Sequence, residues 1–212
     1  MRRLICESVL LVGACMLASI AAGAQQSALS VAHQPVSVDL GVTFSLEKAD
    51  IVPTQCCFWM KGGGADAAIT FWKGFGVAAS VTGDHISNYA RGYDVNQITI
   101  LGGPRYTHSL GAGSANGGYG RRFQLYGDGL AGEIHAFNGT FPTSSAGLKS
   151  TASSFAMQTG GGVNMYFSNS FGVRLIEADY VRTLLPNGSA NVQNDLRLAF
   201  GVTYHFGHAP RP

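Results

Sequence analysis

The chain is 212 residues long, 46% hydrophobic and only 12% charged, with 29 glycines and a formal charge of +2. So small a charge leaves no electrostatic footprint for nucleic acid or for a polybasic membrane patch. Beyond the first 24 residues no stretch approaches the roughly 20 consecutive apolar residues of a membrane-spanning helix, so the apolar content must be spread through short alternating segments.

Met1-Arg2-Arg3, an apolar run from Leu4 to Ile20 and the ending Ala22-Gly23-Ala24 have the three parts of a secretory signal peptide, with cleavage expected after Ala24. Val12-Gly13-Ala14-Cys15 loosely matches a lipoprotein box, but the apolar segment continues past it to Ala22. Residues 25–35 then form a short lead, 36–206 a single domain and 207–212 a tail. Of the four cysteines only Cys56 and Cys57 lie outside the signal, adjacent to one another and without zinc-site spacing. In an oxidising compartment they could form a vicinal or intermolecular disulfide; as two small apolar residues near a loop they need no such role.

Val36, Val38, Leu40, Val42, Phe44 and Leu46 alternate with Ser37, Asp39, Gly41, Thr43 and Ser45, a first strand with Asp39 facing inward. After a loop over 47–60, Ala65, Ala67, Ile69 and Phe71 oppose Asp66, Ala68 and Thr70 in a second strand. Trp72-Lys73-Gly74 is a tight turn into a third strand, Phe75 to Thr82. A polar loop over 83–96 leads to a fourth strand that places Leu101, Gly103 and Arg105 inward and predicts a bulge near Pro104. Arg122 to Phe137 holds a fifth strand, whose alternation slips around Tyr126-Gly127-Asp128-Gly129. It is expected to direct Leu130, Gly132, Ile134 and Ala136 outward and Glu133 and His135 inward. A loop over 138–151, in which Asn138-Gly139-Thr140 reads as a turn, precedes a sixth strand, Phe155 to Phe167, with Gln158, Asn164 and Tyr166 inward. In the seventh, from Phe171, Arg174 points inward while Glu177 and Asp179 have the opposite parity. Either a bulge intervenes or one acid faces outward. The eighth strand, Leu196 to Phe206, is apolar on one face and carries Arg197 and His205 on the other.

Eight strands, small or polar on the inward face and apolar on the outward one, predict an all-β fold: an eight-stranded antiparallel transmembrane β-barrel of up-and-down topology. A soluble lipocalin-like barrel would show the reverse polarity. The alternation of short turns (72–74, 168–170) with longer loops (47–60, 83–96, 138–151, 184–193) agrees with this, and 109–120 is long for a turn.

The runs Leu101-Gly102-Gly103-Pro104-Arg105-Tyr106, Gly160-Gly161-Gly162-Val163 and Arg174-Leu175-Ile176-Glu177-Ala178-Asp179-Tyr180 resemble the small bacterial outer-membrane β-barrel family, the OmpA-like transmembrane domain group, including barrels of acidobacterial type. Gly201-Val202-Thr203-Tyr204-His205-Phe206 is similar to the terminal β-signal read by the barrel assembly machinery, which would give Gly201, Tyr204 and Phe206 an assembly role. Here Gly207 to Pro212 follow it. The resemblance covers the barrel only and implies an outer-membrane location, with outer-membrane lipids and lipopolysaccharide as surroundings.

A barrel of this size is filled by its own side chains. Asp39, Asp66, Arg105, Glu133, His135, Arg174 and Arg197 are expected inside, as a network satisfying buried charge; a narrow gated pore along the same charges is the transport alternative. His85-Ile86-Ser87-Asn88 resembles the His-x-Ser-Asn element of outer-membrane lipid A deacylases. His85 could take the Ser87 proton with Asp94 as orienting acid, although the family's Glu partner is missing at matching spacing. The glycine-rich runs do not open helices, so they cradle no phosphate, and no cofactor or metal site is read. The expectation is a monomeric, non-enzymatic barrel with a structural or loop-display role and no nucleic-acid partner, with a lipid A deacylase-like hydrolase using His85 and Ser87 as the enzymatic alternative.

Overall fold

The computed structural model describes residues 36–49, 58–90, 93–110, 122–142, 147–187 and 191–206. The expected signal peptide, lead and tail, the Cys56-Cys57 pair and segment 111–121 lie outside the described residues. Eight strands follow in order: β1 (Ser37–Ala49), β2 (Phe58–Trp72), β3 (Phe75–Ala90), β4 (Tyr93–Leu110), β5 (Arg122–Pro142), β6 (Leu148–Tyr166), β7 (Phe171–Thr183) and β8 (Gln193–Phe206). Each pairs antiparallel with its neighbours in sequence and β8 pairs with β1, so the sheet closes with no edge left to aggregate. This is the up-and-down barrel that the alternation predicts.

Closure fixes the tilt. A row of directly paired residues runs from Ser37 through Thr70, Gly76, Arg105, Asp128, Gly160, Asp179 and Arg197 and returns to β1 at Glu47, ten residues beyond its start. The strands are therefore inclined to the barrel axis. Five ionisable side chains of this one row point into the lumen, so register alone brings the charges together.

The exterior is apolar. Leu40, Val42, Phe44, Val77, Val81, Ile100, Phe200 and Val202 are exposed on it. Rings gather at the end that carries the 73–74 turn: Trp72 stacks on Phe75, Phe75 meets Tyr106, and Tyr204 lies between Phe171 and Phe206. Lys73 and Gly74 both have positive φ, the backbone of a two-residue hairpin turn whose twist matches that of the strands. A Cβ on Gly74 would lie 2.3 Å from the Thr107 carbonyl oxygen.

Four expectations change. The strands are longer than the apolar alternation implies: β3 runs to Ala90 and β4 starts at Tyr93, so most of 83–96 is paired, and β5 and β6 extend over much of 138–151. Polarity on both faces marks where a strand leaves the apolar zone, not where it stops. Asn138 has a φ of 60° inside β5, at a register shift between Phe137 and Phe141, so it forms a bulge and not a turn. Pro104 produces no bulge: the β4–β5 register is the same on both sides of it, and the ladder merely skips the missing N–H.

The fourth change is the face of β5. Glu133 and His135 are exposed on the outside, and Gln124, Tyr126, Asp128, Leu130, Ile134 and Ala136 are buried inside. The pairing with β4, from Asn96–Phe137 to Leu110–Phe123, keeps one register and so one parity throughout. Small outward residues (Gly127, Gly129, Ala131) and bulky inward ones erase the contrast that alternation relies on. Leu130, Ile134 and Ala136 instead pack with Leu101, Phe141 and Leu185 in an apolar cluster inside the barrel. On β7 the bulge alternative holds: a register shift between Arg174 and Glu177 leaves Leu175 and Ile176 both outward and turns Arg174, Glu177 and Asp179 all inward.

Candidate functional site: the charged lumen

Residues facing inward along tilted strands meet across the barrel, and the charged ones meet in three tiers. Near the end that carries the 73–74 turn, Asp39 Oδ1 accepts from Tyr166 Oη at 3.1 Å and lies 2.6 Å from His205 Nδ1. Gln124 Oε1 accepts from Asn164 Nδ2 at 2.9 Å and lies 3.2 Å from Tyr166 Oη.

The middle tier is the densest. Arg105 on β4 donates to Asp128 through Nε and Nη2, both at 2.6 Å, and through Nη1 to Asp66 Oδ2 at 3.0 Å. Arg174 on β7 reaches across the lumen to Asp66 on β2, with Nη1 to Oδ1 at 2.7 Å and Nη2 to Oδ2 at 3.2 Å, and donates to Glu177 at 2.5 Å. Its Nε bonds Asn164 at 3.2 Å, which joins this tier to the one below. The Tyr126 ring lies against both guanidinium groups, 4.4 Å from Arg105 and 5.0 Å from Arg174, and its hydroxyl donates to Glu177 at 2.6 Å. Gly41 makes the room: a Cβ there would lie 2.3 Å from Asp66 Oδ1 and 2.9 Å from Arg174 Nη2.

Above it Arg197 on β8 donates through Nε to Glu47 on β1 at 2.9 Å, and through Nη1 to Gln158 on β6 at 3.0 Å and Thr82 on β3 at 3.3 Å. Gln97 holds the other Glu47 oxygen at 2.7 Å, and Ser45 donates to Asp84 at 2.9 Å. A small cavity bounded by Thr43, Ser80, Gln158 and Ala199 separates this tier from the middle one. Asp179 is buried within electrostatic reach of Glu177 and Arg197.

Of the residues expected inside, Asp39, Asp66, Arg105, Arg174 and Arg197 meet in this network, whereas Glu133 and His135 are on the exterior, with His135 Nδ1 2.7 Å from Ser153 Oγ. Glu47, Asp84, Asp128, Glu177 and Asp179 complete it. Glu47 and Asp84 are the next inward positions after Ser45 and Thr82, so extending the alternation by one step finds them. Asp128 needs the β4 register and Glu177 the β7 bulge.

His85 and Ser87 lie on the exposed outward face of β3, in strand and not in loop. His85 Nδ1 is 2.7 Å from Asn96 Oδ1 across the β3–β4 ladder, so the imidazole faces an amide; Asp94 is exposed further along β4. Among the described residues no three His, Cys, Asp or Glu side chains are arranged to hold a metal ion. Gly201 packs against β1, where a Cβ would lie 2.0 Å from the Val42 carbonyl oxygen. Tyr204 and Phe206 touch ring to ring at 4.5 Å.

No protein family model matches the chain. No curated protein matches it either. Among solved structures, Neisserial surface protein A is similar over 80% of this chain and 97% of its own, with a TM-score of 0.58 and 13% identity. The attachment invasion locus protein Ail of Yersinia pestis matches over 81% and 98%, with a TM-score of 0.45 and 15% identity. The N-terminal barrel domain of Pseudomonas aeruginosa OprF matches over 80% and 97%, at 0.40 and 15%. The first of these shows a shared fold, the closed eight-stranded antiparallel barrel.

Proposed function

We propose that the protein is a bacterial outer-membrane barrel with a closed lumen, which serves as a structural element and carries its loops at the cell surface. The observation that carries this reading is the middle tier, where Arg174 from β7 and Arg105 from β4 converge on Asp66 from β2 and fill the cross-section with bonded side chains. The apolar exterior and the aromatic end support insertion in a bilayer, with the 73–74 turn on the periplasmic side and the opposite connections outside. Export by the N-terminal signal, handling by the barrel assembly machinery through Gly201, Tyr204 and Phe206, and a monomeric state belong to the same reading.

A non-enzymatic role is part of it, because His85 is engaged by Asn96 and not by a carboxylate. Fractionation with a cold-versus-boiled gel comparison tests the core of the proposal. The protein should sediment with outer membranes and migrate faster unboiled; a soluble, heat-insensitive chain would overturn it. Purified protein should release no fatty acid from lipopolysaccharide, and release lost on Ser87→Ala would favour the hydrolase.

A further inference from the structure

Every strand pairing but one joins neighbours in sequence, where the connecting segment limits how far one strand can slide along the next. The exception is the seam of β1 with β8, which joins the first strand to the last and has no connecting turn. A slip of about two residues along this seam would keep every side chain on its own face and re-form most of the ladder, so neither alternation nor backbone hydrogen bonding selects the register. Closure does not select it either, because eight strands can close with a smaller or a larger stagger.

The lumen side chains of the seam do discriminate. Asp39 is paired directly with His205 and Glu47 directly with Arg197. Asp39 Oδ1 lies 2.6 Å from His205 Nδ1, and Glu47 Oε2 lies 2.9 Å from Arg197 Nη2. One pair sits toward each end of the seam, and between them Gly201 meets Thr43, where a Cβ would lie 2.0 Å from the Val42 carbonyl oxygen. Sliding β8 one way sets Glu47 opposite Asp195, carboxylate against carboxylate, Asp39 opposite Thr203, and Ala199 in the place that Gly201 fits. Sliding it the other way sets Arg197 opposite Ala49, which packs with Met60 and Val95 in an apolar cluster. The same slide sets His205 opposite Gly41, where Asp66 and Arg174 crowd the lumen.

We propose that Asp39, Glu47, Arg197 and His205 form a register key, which selects the one alignment in which the last strand closes on the first. The two opposite-charge pairs favour that alignment, and the residues flanking them disfavour the alignment on either side of it. Arg197 and Glu47 thus act on closure as well as filling the lumen.

The test reads the register directly. In the full chain carrying Cys56→Ser and Cys57→Ser, Val42→Cys is combined in turn with Val202→Cys, Phe200→Cys or Tyr204→Cys, and each chain is refolded into phosphatidylcholine vesicles. A disulfide needs Cβ atoms about 4 Å apart, which directly opposed residues meet and diagonal ones do not. Position 202 therefore reports the observed register, and 200 and 204 report the two slipped ones. After brief oxidation, linked peptides are quantified by mass spectrometry in the fraction that shows a heat-dependent gel shift. With the key intact, linking at 202 should exceed linking at either other position at least about tenfold. Asp39→Asn and Glu47→Gln should each lower that ratio about tenfold, and together about a hundredfold. Moving the cation, Arg197→Ala with Asp195→Arg, should transfer linking from 202 to 200, because only that register sets the introduced guanidinium opposite Glu47. Lys48→Gln, on the outward face of the same seam, should change nothing. Folded Asp39→Asn and Glu47→Gln chains that keep the original ratio would overturn the key, as would a Lys48→Gln chain that slips as readily as they do. These conservative variants decide the matter if the moved cation yields no folded chain.

Discussion

Asp66 is the carboxylate on which Arg105 and Arg174 converge: their Nη1 atoms stand 3.0 and 2.7 Å from its two oxygens, and the three residues come from β2, β4 and β7. All three side chains are less than a tenth exposed. Removing the acid leaves two guanidinium groups short of a counter-charge in a site that excludes bulk water. Asp66→Asn should therefore destabilise the barrel by about 3 kcal/mol. Urea unfolding followed through Trp59 and Trp72 fluorescence measures it, and an unchanged midpoint would show that the tier is not holding the barrel.

Tyr126 contributes in two separable ways. Its hydroxyl donates to Glu177 at 2.6 Å, and its ring faces both guanidinium groups. Tyr126→Phe keeps the ring and should cost about 2 kcal/mol, the range of a hydrogen bond to a charged group. Tyr126→Leu loses the ring contacts as well and should cost about 1 kcal/mol more for each desolvated cation–π contact. The same unfolding assay ranks the pair, and equal costs would assign the whole effect to the hydroxyl.

How far the sequence reveals this arrangement differs strand by strand. β1 and β8 alternate cleanly because their outward residues are mostly large and their inward ones mostly small or polar, β2 and β6 alternate through polar inward residues against apolar outward ones, and the inward charges Asp39, Asp66 and Arg197 are readable directly. β5 is opaque. Its inward face holds Leu130, Ile134 and Ala136, its outward face holds glycines, and only pairing to β4 shows that Asp128, and not Glu133 or His135, belongs to the lumen. On β7 the parity conflict of Arg174 with Glu177 is itself the signal of a bulge, but its position depends on the neighbouring strand. The extents of the hairpins beyond the apolar zone are set by backbone pairing, to which composition is blind.

The apolar exterior predicts a depth-dependent penalty. Val42 is 61% exposed, and on both sides it pairs with outward apolar residues, Ala65 on β2 and Val202 on β8. Val42→Arg should cost about 2–4 kcal/mol at mid-bilayer. Lys48→Arg, at the boundary, should cost nothing measurable. The fraction of chain showing the gel shift after refolding into vesicles checks both, and indifference to Val42→Arg would argue against lipid at that face.

Wild type should be silent in planar bilayers, because Arg174 and Arg105 reach from opposite sides to one carboxylate and leave no continuous path. Shortening both, Arg105→Ala with Arg174→Ala, removes two cations and leaves Asp66, Asp128 and Glu177 facing the gap. Three carboxylates without counter-cations in a space opened to water hydrate instead of collapsing, and their charge attracts cations and repels anions. The double variant should therefore carry a small cation-selective current, seen as a reversal potential of matching sign under a potassium chloride gradient. A steady wild-type current, or an anion-selective variant, would show that the middle tier is not what closes the lumen.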